Sequence, residues 1–114
     1  MHEMSLAGGI LRIAEQAAER ERFARVTLLR LEAGSLSGVE PRALRFALEA
    51  MAPGTCLEGA QIEIETPDGE AWCLRCSQSV ALKVRGDACP HCQGHQLQAT
   101  GGTELRVLDM MVQD

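Results

Sequence analysis

Apolar residues near the start of the chain recur every three or four positions, which is the spacing of an amphipathic α-helix. The pattern predicts a helix from Met4 to Arg22, with charged residues on the face opposite the apolar one. The predicted inner face consists of Leu6, Ile10, Ile13, Ala14 and Ala17. The pair Gly8-Gly9 weakens the first turns, since each glycine costs about 1 kcal/mol relative to alanine. Either another backbone passes close to this pair or the helix tolerates it.

A second helix is predicted to begin at Pro41, because the missing N–H of proline would be unpaired in a first helical turn. Pro53-Gly54 marks its end. Its buried stripe is predicted to be Leu44, Leu48 and Met51, with Phe46 or Ala47 beside it.

Three segments alternate between apolar and polar residues, as half-buried β-strands do. The predicted strands are Arg25–Ala33, Ala60–Glu65 and Glu104–Val112. In the first of them, Val26, Leu28 and Leu31 are expected to face inward.

Four cysteines form two Cys-x-x-Cys hooks, Cys73/Cys76 and Cys89/Cys92, which are separated by twelve residues. Two residues between cysteines let a tight turn aim both sulfurs at one point, and two facing hooks complete a tetrahedral S4 site for zinc. Such a closed site has no position for water, so it organises structure rather than doing chemistry. Two disulfides or a redox pair are the alternatives. Disulfides need an oxidising compartment, and a redox pair would leave the second hook unexplained.

A short alternating segment between the hooks, Val80, Leu82 and Val84, predicts a hairpin strand within a metal lobe. The last predicted strand must pair with the earlier two, because a strand cannot stand alone, so the lobe is an insertion in a sheet. The predicted fold class is α+β, a small two-helix domain with a three-stranded mixed sheet and an inserted zinc-ribbon-like lobe. Residues 1–66 plus 101–114 are assigned to the α/β domain and residues 67–100 to the zinc-binding domain. A separate C-terminal zinc domain is the competing arrangement.

Composition narrows the classes of function. The 114 residues carry a formal charge of −5 and 3% aromatic residues, which argues against general nucleic-acid binding and base stacking. No apolar run is long enough for a membrane span, and the polar, acidic N-terminus is unlike a signal peptide. The expected location is therefore cytoplasmic, where thiols stay reduced. The sequence offers no catalytic triad or phosphate loop, so the chain is not predicted to be an enzyme.

His2 directly follows Met1, so three nitrogens could chelate a metal: the α-amine of Met1, the amide of His2 and the imidazole. This set suits Ni(II) or Cu(II) in a square plane, and a Glu3 group could fill the open position. The positive end of the first helix dipole opposes a cation at this place. On residues alone, a histidine at a chain start is more often simply solvated.

Several segments together carry a family resemblance that covers nearly the whole chain. They are Met1-His2-Glu3-Met4-Ser5-Leu6, Ser37-Gly38-Val39-Glu40-Pro41, Leu44-Arg45-Phe46, Gly54-Thr55, Glu58-Gly59-Ala60 and the two cysteine hooks. With these segments the chain resembles the HypA/HybF family, the hydrogenase-maturation nickel metallochaperones. The resemblance implies a nickel site formed by Met1, His2 and Glu3, and a structural zinc site formed by Cys73, Cys76, Cys89 and Cys92.

The resemblance also implies partners. Ni(II) would pass to the large subunit of nickel–iron hydrogenase together with a hydrogenase-maturation GTPase, and in some bacteria to urease accessory proteins. Zn(II) would stay in the protein as a structural ion. Neither nucleic acid nor membrane is an expected partner, and a monomer or a homodimer would fit. The alternative function is a zinc-ribbon adaptor that binds protein or nucleic acid without nickel, and a thiol oxidoreductase is ranked last.

Four further residues each have two interpretations. Cys56 is expected to be a small buried hydrophobe rather than a ligand. Glu40 precedes Pro41 at a helix start, where its carboxylate suits the dipole or could support the nickel site. His91 and His95 are expected to be solvated, although they could tune metal exchange.

Overall fold

The fold contains two helices and six strands, which form two three-stranded sheets. A computed structural model describes residues 2–114 of the chain. The elements are α1 (His2–Glu21), β1 (Arg25–Ala33), α2 (Pro41–Met51), β2 (Gln61–Glu65), β3 (Gly69–Cys73), β4 (Gln78–Leu82), β5 (Leu97–Gly101) and β6 (Leu105–Gln113). Over residues 2–114, neither helix combines the length and the apolar character needed to cross a bilayer. The predicted α+β class with an inserted metal lobe is confirmed.

The first sheet has the order β2-β1-β6, so its earliest strand is central and its latest strand lies at an edge. Thr27 on β1 donates to the carbonyl of Met111, and Arg30 lies 2.7 Å from Asp109. Residue numbers therefore rise along β1 as they fall along β6, which makes this pair antiparallel. Arg25 lies 3.9 Å from Glu58 and Arg30 lies 3.7 Å from Glu63, so residue numbers rise together along β1 and along the segment that leads into and through β2. This pair is therefore parallel, and the sheet is mixed.

Burial along β1 departs from the predicted alternation. Val26, Leu29 and Leu31 are buried, whereas Leu28 is only half-buried. The prediction that Leu28 faces inward is wrong, because the alternation shifts by one residue between Val26 and Leu29. A period of two read along a sequence cannot locate such a shift.

Helix α1 begins at His2, two residues earlier than predicted, and Glu3 in its first turn complements the helix dipole. Its buried stripe is Ala7, Ile10, Ala14 and Ala17. Ile13 is half exposed, so its placement on the inner face is wrong. Three of the four buried residues are alanines, whose small side chains let α1 pack close to its neighbours. Ile13 then lies at the edge of the buried face and stays half exposed. Within residues 2–114, a Cβ added to Gly8 or Gly9 would meet nothing within 4 Å beyond its own stretch of helix, so no other backbone of this range passes close to the glycine pair.

Helix α2 begins at Pro41, as predicted, and is capped by Glu40, whose carboxylate accepts from the backbone N–H of Arg42. Its buried residues are Leu44, Ala47 and Leu48. Ala47 rather than Phe46 flanks the stripe, since Phe46 is 71% exposed. One helical position rotates a side chain by about 100°, and this step separates the buried alanine from the exposed phenylalanine.

The second sheet has the order β4-β3-β5, with antiparallel pairing on both sides of β3. Strand β4 covers Val80 and Leu82 but ends before Val84, which is exposed, so the prediction that Val84 belongs to this hairpin strand is wrong. The sequence did not predict β3 or β5. Strand β5 has no buried residue, so it shows no alternation, and β3 runs from a glycine into the first hook.

Contacts divide the chain into two compact units. The first comprises the segments up to Leu31, Glu40–Ile64 and Val107–Asp114, and the second comprises Glu32–Val39 and Glu65–Arg106. The functional domains assigned from the sequence, residues 1–66 plus 101–114 and residues 67–100, remain a prediction.

The segment after β1 is part of the core of the second unit. Leu36 is buried there with Val80, Leu82 and two cysteines of the hooks, Cys73 and Cys89. Its backbone N–H donates to the Gly102 carbonyl at 2.8 Å, and its carbonyl accepts from the Arg85 side chain at 2.8 Å. The core of the second unit therefore includes a residue that lies 35 positions before the next core member, Ala71. Sequence periodicity does not report such a long-range contact.

Candidate metal centre

The second unit brings all four hook cysteines together, with their sulfurs within 4.8 Å of one another. Cys73 ends β3, and Cys76 lies in the turn that leads into β4. Cys73 and Cys89 are buried, whereas Cys76 and Cys92 are half-buried. The arrangement is a four-cysteine metal site, and the assignment of its members as zinc ligands remains a prediction.

The distances between sulfurs fit a tetrahedral ion. Zn–S bonds of about 2.3 Å require sulfurs about 3.8 Å apart, because this is the edge of a tetrahedron of that radius. The Sγ atoms of Cys73 and Cys92 lie 3.7 Å apart, and those of Cys76 and Cys89 lie 3.9 Å apart. A sulfur pair at a disulfide distance would be much closer, at about 2.0 Å. The donor set therefore suits one thiolate-bound ion better than two disulfides.

The two hooks share one backbone geometry. The residue after each second cysteine has a left-handed conformation, with φ of 54° at Ser77 and 64° at Gln93. Its N–H donates to the carbonyl of the first cysteine, at 2.8 Å in the first hook and 2.9 Å in the second. This tight turn is what two intervening residues make possible, and it points both sulfurs of a hook to the same side.

Backbone N–H groups surround the sulfurs. Those of Cys76, His91 and Gly94 each lie 3.4 Å from a cysteine sulfur, on Cys73, Cys89 and Cys92 respectively. Such donors stabilise a thiolate relative to a thiol, which is the form that binds metal.

Two of the four thiols, those of Cys76 and Cys89, have shifted pKa values when no ion is bound. Donation from the backbone N–H of Cys92, followed by that of His91, lowers the pKa of the Cys89 thiol to about 6. The pKa of Cys76 is raised to about 12, first by its hydrogen bond with the Cys92 sulfur and then by burial. At neutral pH a thiolate is therefore present at Cys89 before any ion binds, and binding of a metal must displace a proton from Cys76.

Two of the three residues predicted to bind nickel lie at the start of α1, and Met1 lies outside the described residues. The imidazole Nδ1 of His2 is 4.0 Å from the Glu3 carboxylate, and the two side chains are 65% and 18% exposed. The backbone N–H of Glu40 donates to Glu3 at 3.2 Å, which is the first cause of the lowered pKa of the Glu3 carboxyl. This contact is present above the ordinary carboxyl pKa of 4.5 and is lost as the pH falls through the lowered value.

Sequence reasoning missed this use of Glu40. Its carboxylate caps α2, as expected, but its backbone N–H is the group that holds Glu3. Residues 2–114 contain no cluster of three or more His, Cys, Asp or Glu side chains with metal-binding spacing other than the cysteine site. His91 and His95 are exposed, in line with the expectation that they are solvated.

Cys56 lies in the first unit and belongs to a different environment. It is buried beside a cleft of about 610 Å³, and its backbone N–H donates to Glu15 at 2.9 Å. Burial, followed by the Glu15 charge, raises the pKa of its thiol to about 11. The expectation of a small buried hydrophobe agrees with this environment.

The raised pKa makes a testable prediction for Cys56. We expect the folded protein to resist alkylation by iodoacetamide at Cys56 from pH 7 to pH 9, because the thiolate is the nucleophile and is scarce below a pKa of about 11. Mass spectrometry of tryptic peptides measures this directly. The same protein unfolded in guanidinium is the control and should be fully alkylated, whereas rapid labelling of the folded chain would contradict the assigned environment.

Comparison with known proteins places this geometry in a family. A family model described as hydrogenase/urease nickel incorporation, metallochaperone, hypA matches residues 1–112. The chain is 71% identical over 114 residues to a hydrogenase maturation factor HypA of Cupriavidus necator, with 100% of this chain and 96% of that protein covered. A relative from Polaromonas naphthalenivorans with the same name is 66% identical, with coverage of 100% and 99%.

Solved structures agree on the fold. The solution structure of the Ni metallochaperone HypA from Helicobacter pylori matches with a TM-score of 0.67, 18% identity and 97% coverage of each chain. Identity at this level supports the fold alone, and the family follows from the sequence matches. The chain belongs to the HypA family of metallochaperones for hydrogenase and urease nickel incorporation.

Proposed function

We propose that this chain binds Ni(II) at Met1, His2 and Glu3, delivers it for maturation of nickel–iron hydrogenase, and holds a structural Zn(II) at its four clustered cysteines. Membership of a nickel metallochaperone family is the observation that carries the nickel part. The sulfur geometry, with separations of 3.7 and 3.9 Å, carries the zinc part.

The position of His2 at the start of α1 supports nickel binding through amide nitrogen. The first four N–H groups of a helix have no acceptor within the helix, so deprotonating the amide of His2 or Glu3 breaks no helical hydrogen bond. A deprotonated amide is also negative, which offsets the helix dipole that disfavours a cation. Ni(II) favours such a planar nitrogen set.

Exposure of the imidazole suits a delivery protein. His2 is 65% exposed, so a recipient can reach the nickel and replace its ligands one at a time. The Glu3 carboxylate is held ready by the Glu40 N–H at 3.2 Å and can occupy a remaining position. Binding would be tight enough to select nickel and open enough to release it.

Family membership connects the chain to hydrogenase maturation. The partners that we propose are a maturation GTPase and the nickel–iron hydrogenase large subunit, and urease accessory proteins in organisms that have urease, all within the cytoplasm. The chain itself would catalyse no reaction. The alternative of a zinc-ribbon adaptor without nickel is not favoured, because the relatives that match over the whole chain are named hydrogenase maturation factors.

The nickel site is tested by replacing His2 with alanine. We expect His2→Ala to weaken Ni(II) binding by at least about a hundredfold, because it removes the imidazole and one chelate ring. Isothermal titration of untagged protein measures the affinity, and the absorption band of planar nickel reports the geometry. His95→Ala, which removes an exposed histidine in the other unit, is the matched control and should bind nickel as the wild type does.

Two outcomes would overturn the nickel proposal. Equal affinity in the wild type and His2→Ala would place nickel elsewhere, and a wild type that takes up zinc but no nickel would remove delivery altogether. An N-terminal extension that blocks the amine of Met1 gives an independent check, since it should also weaken nickel binding while leaving the zinc content unchanged.

A further inference from the structure

The side chain of Arg75 extends from the first cysteine hook to the second. Arg75 lies between Cys73 and Cys76 in the sequence, yet its stem and guanidinium pass over Gly94, two residues after the last cysteine. A Cβ on Gly94 would lie 3.1 Å from Arg75 Cδ, 3.2 Å from Arg75 Nη1 and 3.4 Å from Cys92 Sγ. The guanidinium and this sulfur are therefore less than about 7 Å apart, a distance at which charges interact in partly screened surroundings.

A cation close to the cysteine site would offset the negative charge that its thiolates carry. Four thiolates around one divalent ion carry a net charge of −2, and two of the cysteines are buried, so water solvates that charge only in part. The two other cations of the lobe are placed differently. Lys83 follows β4 at the end where Leu82 pairs with Gly69, which is the end of β3 away from Cys73. Arg85 donates through Nε to the Leu36 carbonyl at 2.8 Å.

We propose that Arg75 is the electrostatic partner of the four-cysteine centre and slows the loss of its metal ion. The proposal rests on the zinc site proposed above. Arg75 does not ligate the metal; it acts on the ligands through its charge, and it is a positioning residue. Gly94 has no side chain, and this leaves the space in which the guanidinium lies. The glycine that follows the second hook therefore helps to position Arg75 of the first hook.

Zinc transfer from three variants tests this assignment. Arg75→Gln removes the charge and keeps most of the stem, Arg75→Lys restores a charge, and Lys83→Gln removes one charge from the same lobe at the far end of β3. Each protein is first assayed for zinc by elemental analysis. The rate of zinc transfer to the chromogenic chelator 4-(2-pyridylazo)resorcinol is then measured at low and at high sodium chloride.

We expect Arg75→Gln to transfer zinc about two to five times faster than the wild type at low salt, as befits an exposed charge pair. Arg75→Lys and Lys83→Gln should both stay near the wild-type rate. The difference between wild type and Arg75→Gln should shrink at high salt, because the Debye length falls to about 3 Å at 1 M. A packing role for the stem would not depend on salt in this way.

The outcomes separate this inference from the proposed function. One zinc per chain in every variant with equal transfer rates would overturn the role of Arg75 and leave the zinc site intact. Equal acceleration in Arg75→Gln and Lys83→Gln would assign the effect to net charge and also overturn it. A wild type without zinc would overturn the zinc site itself. Gly94→Ala is a second variant that keeps every charge, and it should accelerate transfer by displacing the guanidinium.

Discussion

Replacing Cys89 with serine should remove the metal ion and unfold the second unit. Cys89 is fully buried in the core of that unit, together with Cys73, Leu36 and Ala71. A serine hydroxyl stays protonated at neutral pH and cannot replace a thiolate, so the metal ion would have three cysteine ligands instead of four. Structural zinc contributes about 10–16 kcal/mol in small zinc modules, and this contribution depends on the complete ligand set and on the fold that the ion holds together.

The loss of folding follows from the size of the unit. A lobe this small buries too little apolar surface to be stable without metal, and the sulfurs are themselves part of its core. We expect zinc content to fall from one ion per chain to nearly none. Amide resonances of residues in β3, β4 and β5 should collapse toward random-coil positions.

Cys56→Ser is the matched control for the loss of a buried cysteine. Cys56 lies in the first unit, so its replacement should leave one zinc per chain and an intact second sheet, with a stability cost of about 1–3 kcal/mol for the buried hydroxyl. Full zinc retention in Cys89→Ser would show that the four sulfurs do not act as one site.

The second large effect is expected from Gly34→Ala. A Cβ at Gly34 would lie 2.2 Å from the carbonyl oxygen of Gly102, and this neighbour is backbone rather than a movable side chain. Gly102 in turn lies against Gly69, where a Cβ on Gly102 would be 2.5 Å from the Gly69 Cα, and its φ is +74°. The backbone at Gly102 is therefore packed between Gly34 and Gly69, and it cannot move away from one of them without approaching the other.

We expect Gly34→Ala to destabilise the protein by at least about 3 kcal/mol, at the upper end of overpacking effects. The melting temperature should fall by roughly 10 °C or more. The hydrogen bond from the Gly34 N–H to the Glu104 carbonyl, now 3.0 Å, would lengthen with the same movement. Thermal unfolding followed by circular dichroism gives the shift.

Gly9→Ala is the control that makes the same chemical change where space is open. Apart from the local helix backbone and the two chain neighbours, no atom of the described residues lies within 4 Å of a Cβ at Gly9. The residue is inside α1, so alanine should stabilise the protein by about 0.5–1 kcal/mol. A Gly34→Ala protein as stable as Gly9→Ala would mean that the backbones at Gly34, Gly69 and Gly102 do not pack this closely.

The local patterns of the chain were sufficient to predict both helices and the three strands of the first sheet. Pro41 and the apolar stripe of α2 predicted that helix, and alternation predicted β1 with the bounds that the structure has. The two hooks predicted a four-sulfur cluster because two residues between cysteines impose a tight turn. These features depend on neighbours a few residues apart, which a sequence displays directly.

Other features escaped the same reasoning because a different part of the chain decides them. The shift of burial from Leu28 to Leu29 depends on which side of β1 meets the helices. The exposed Phe46 and Ile13 depend on how closely the alanine stripe of α1 and the stripe of α2 pack. Strand β5 has no buried face, so pairing with β3, rather than its own pattern, makes it a strand.

By itself the sequence determined that this chain has two amphipathic helices, a mixed sheet, four cysteines able to share one ion and a histidine at its start. Only the tertiary structure decided that Leu36 completes the core of the metal lobe, that the Glu40 N–H holds Glu3, and that Arg75 crosses to the second hook. The physical reason is range. Turn geometry and helical periodicity act between near neighbours, whereas burial and charge pairing join residues that only folding brings within a few ångströms.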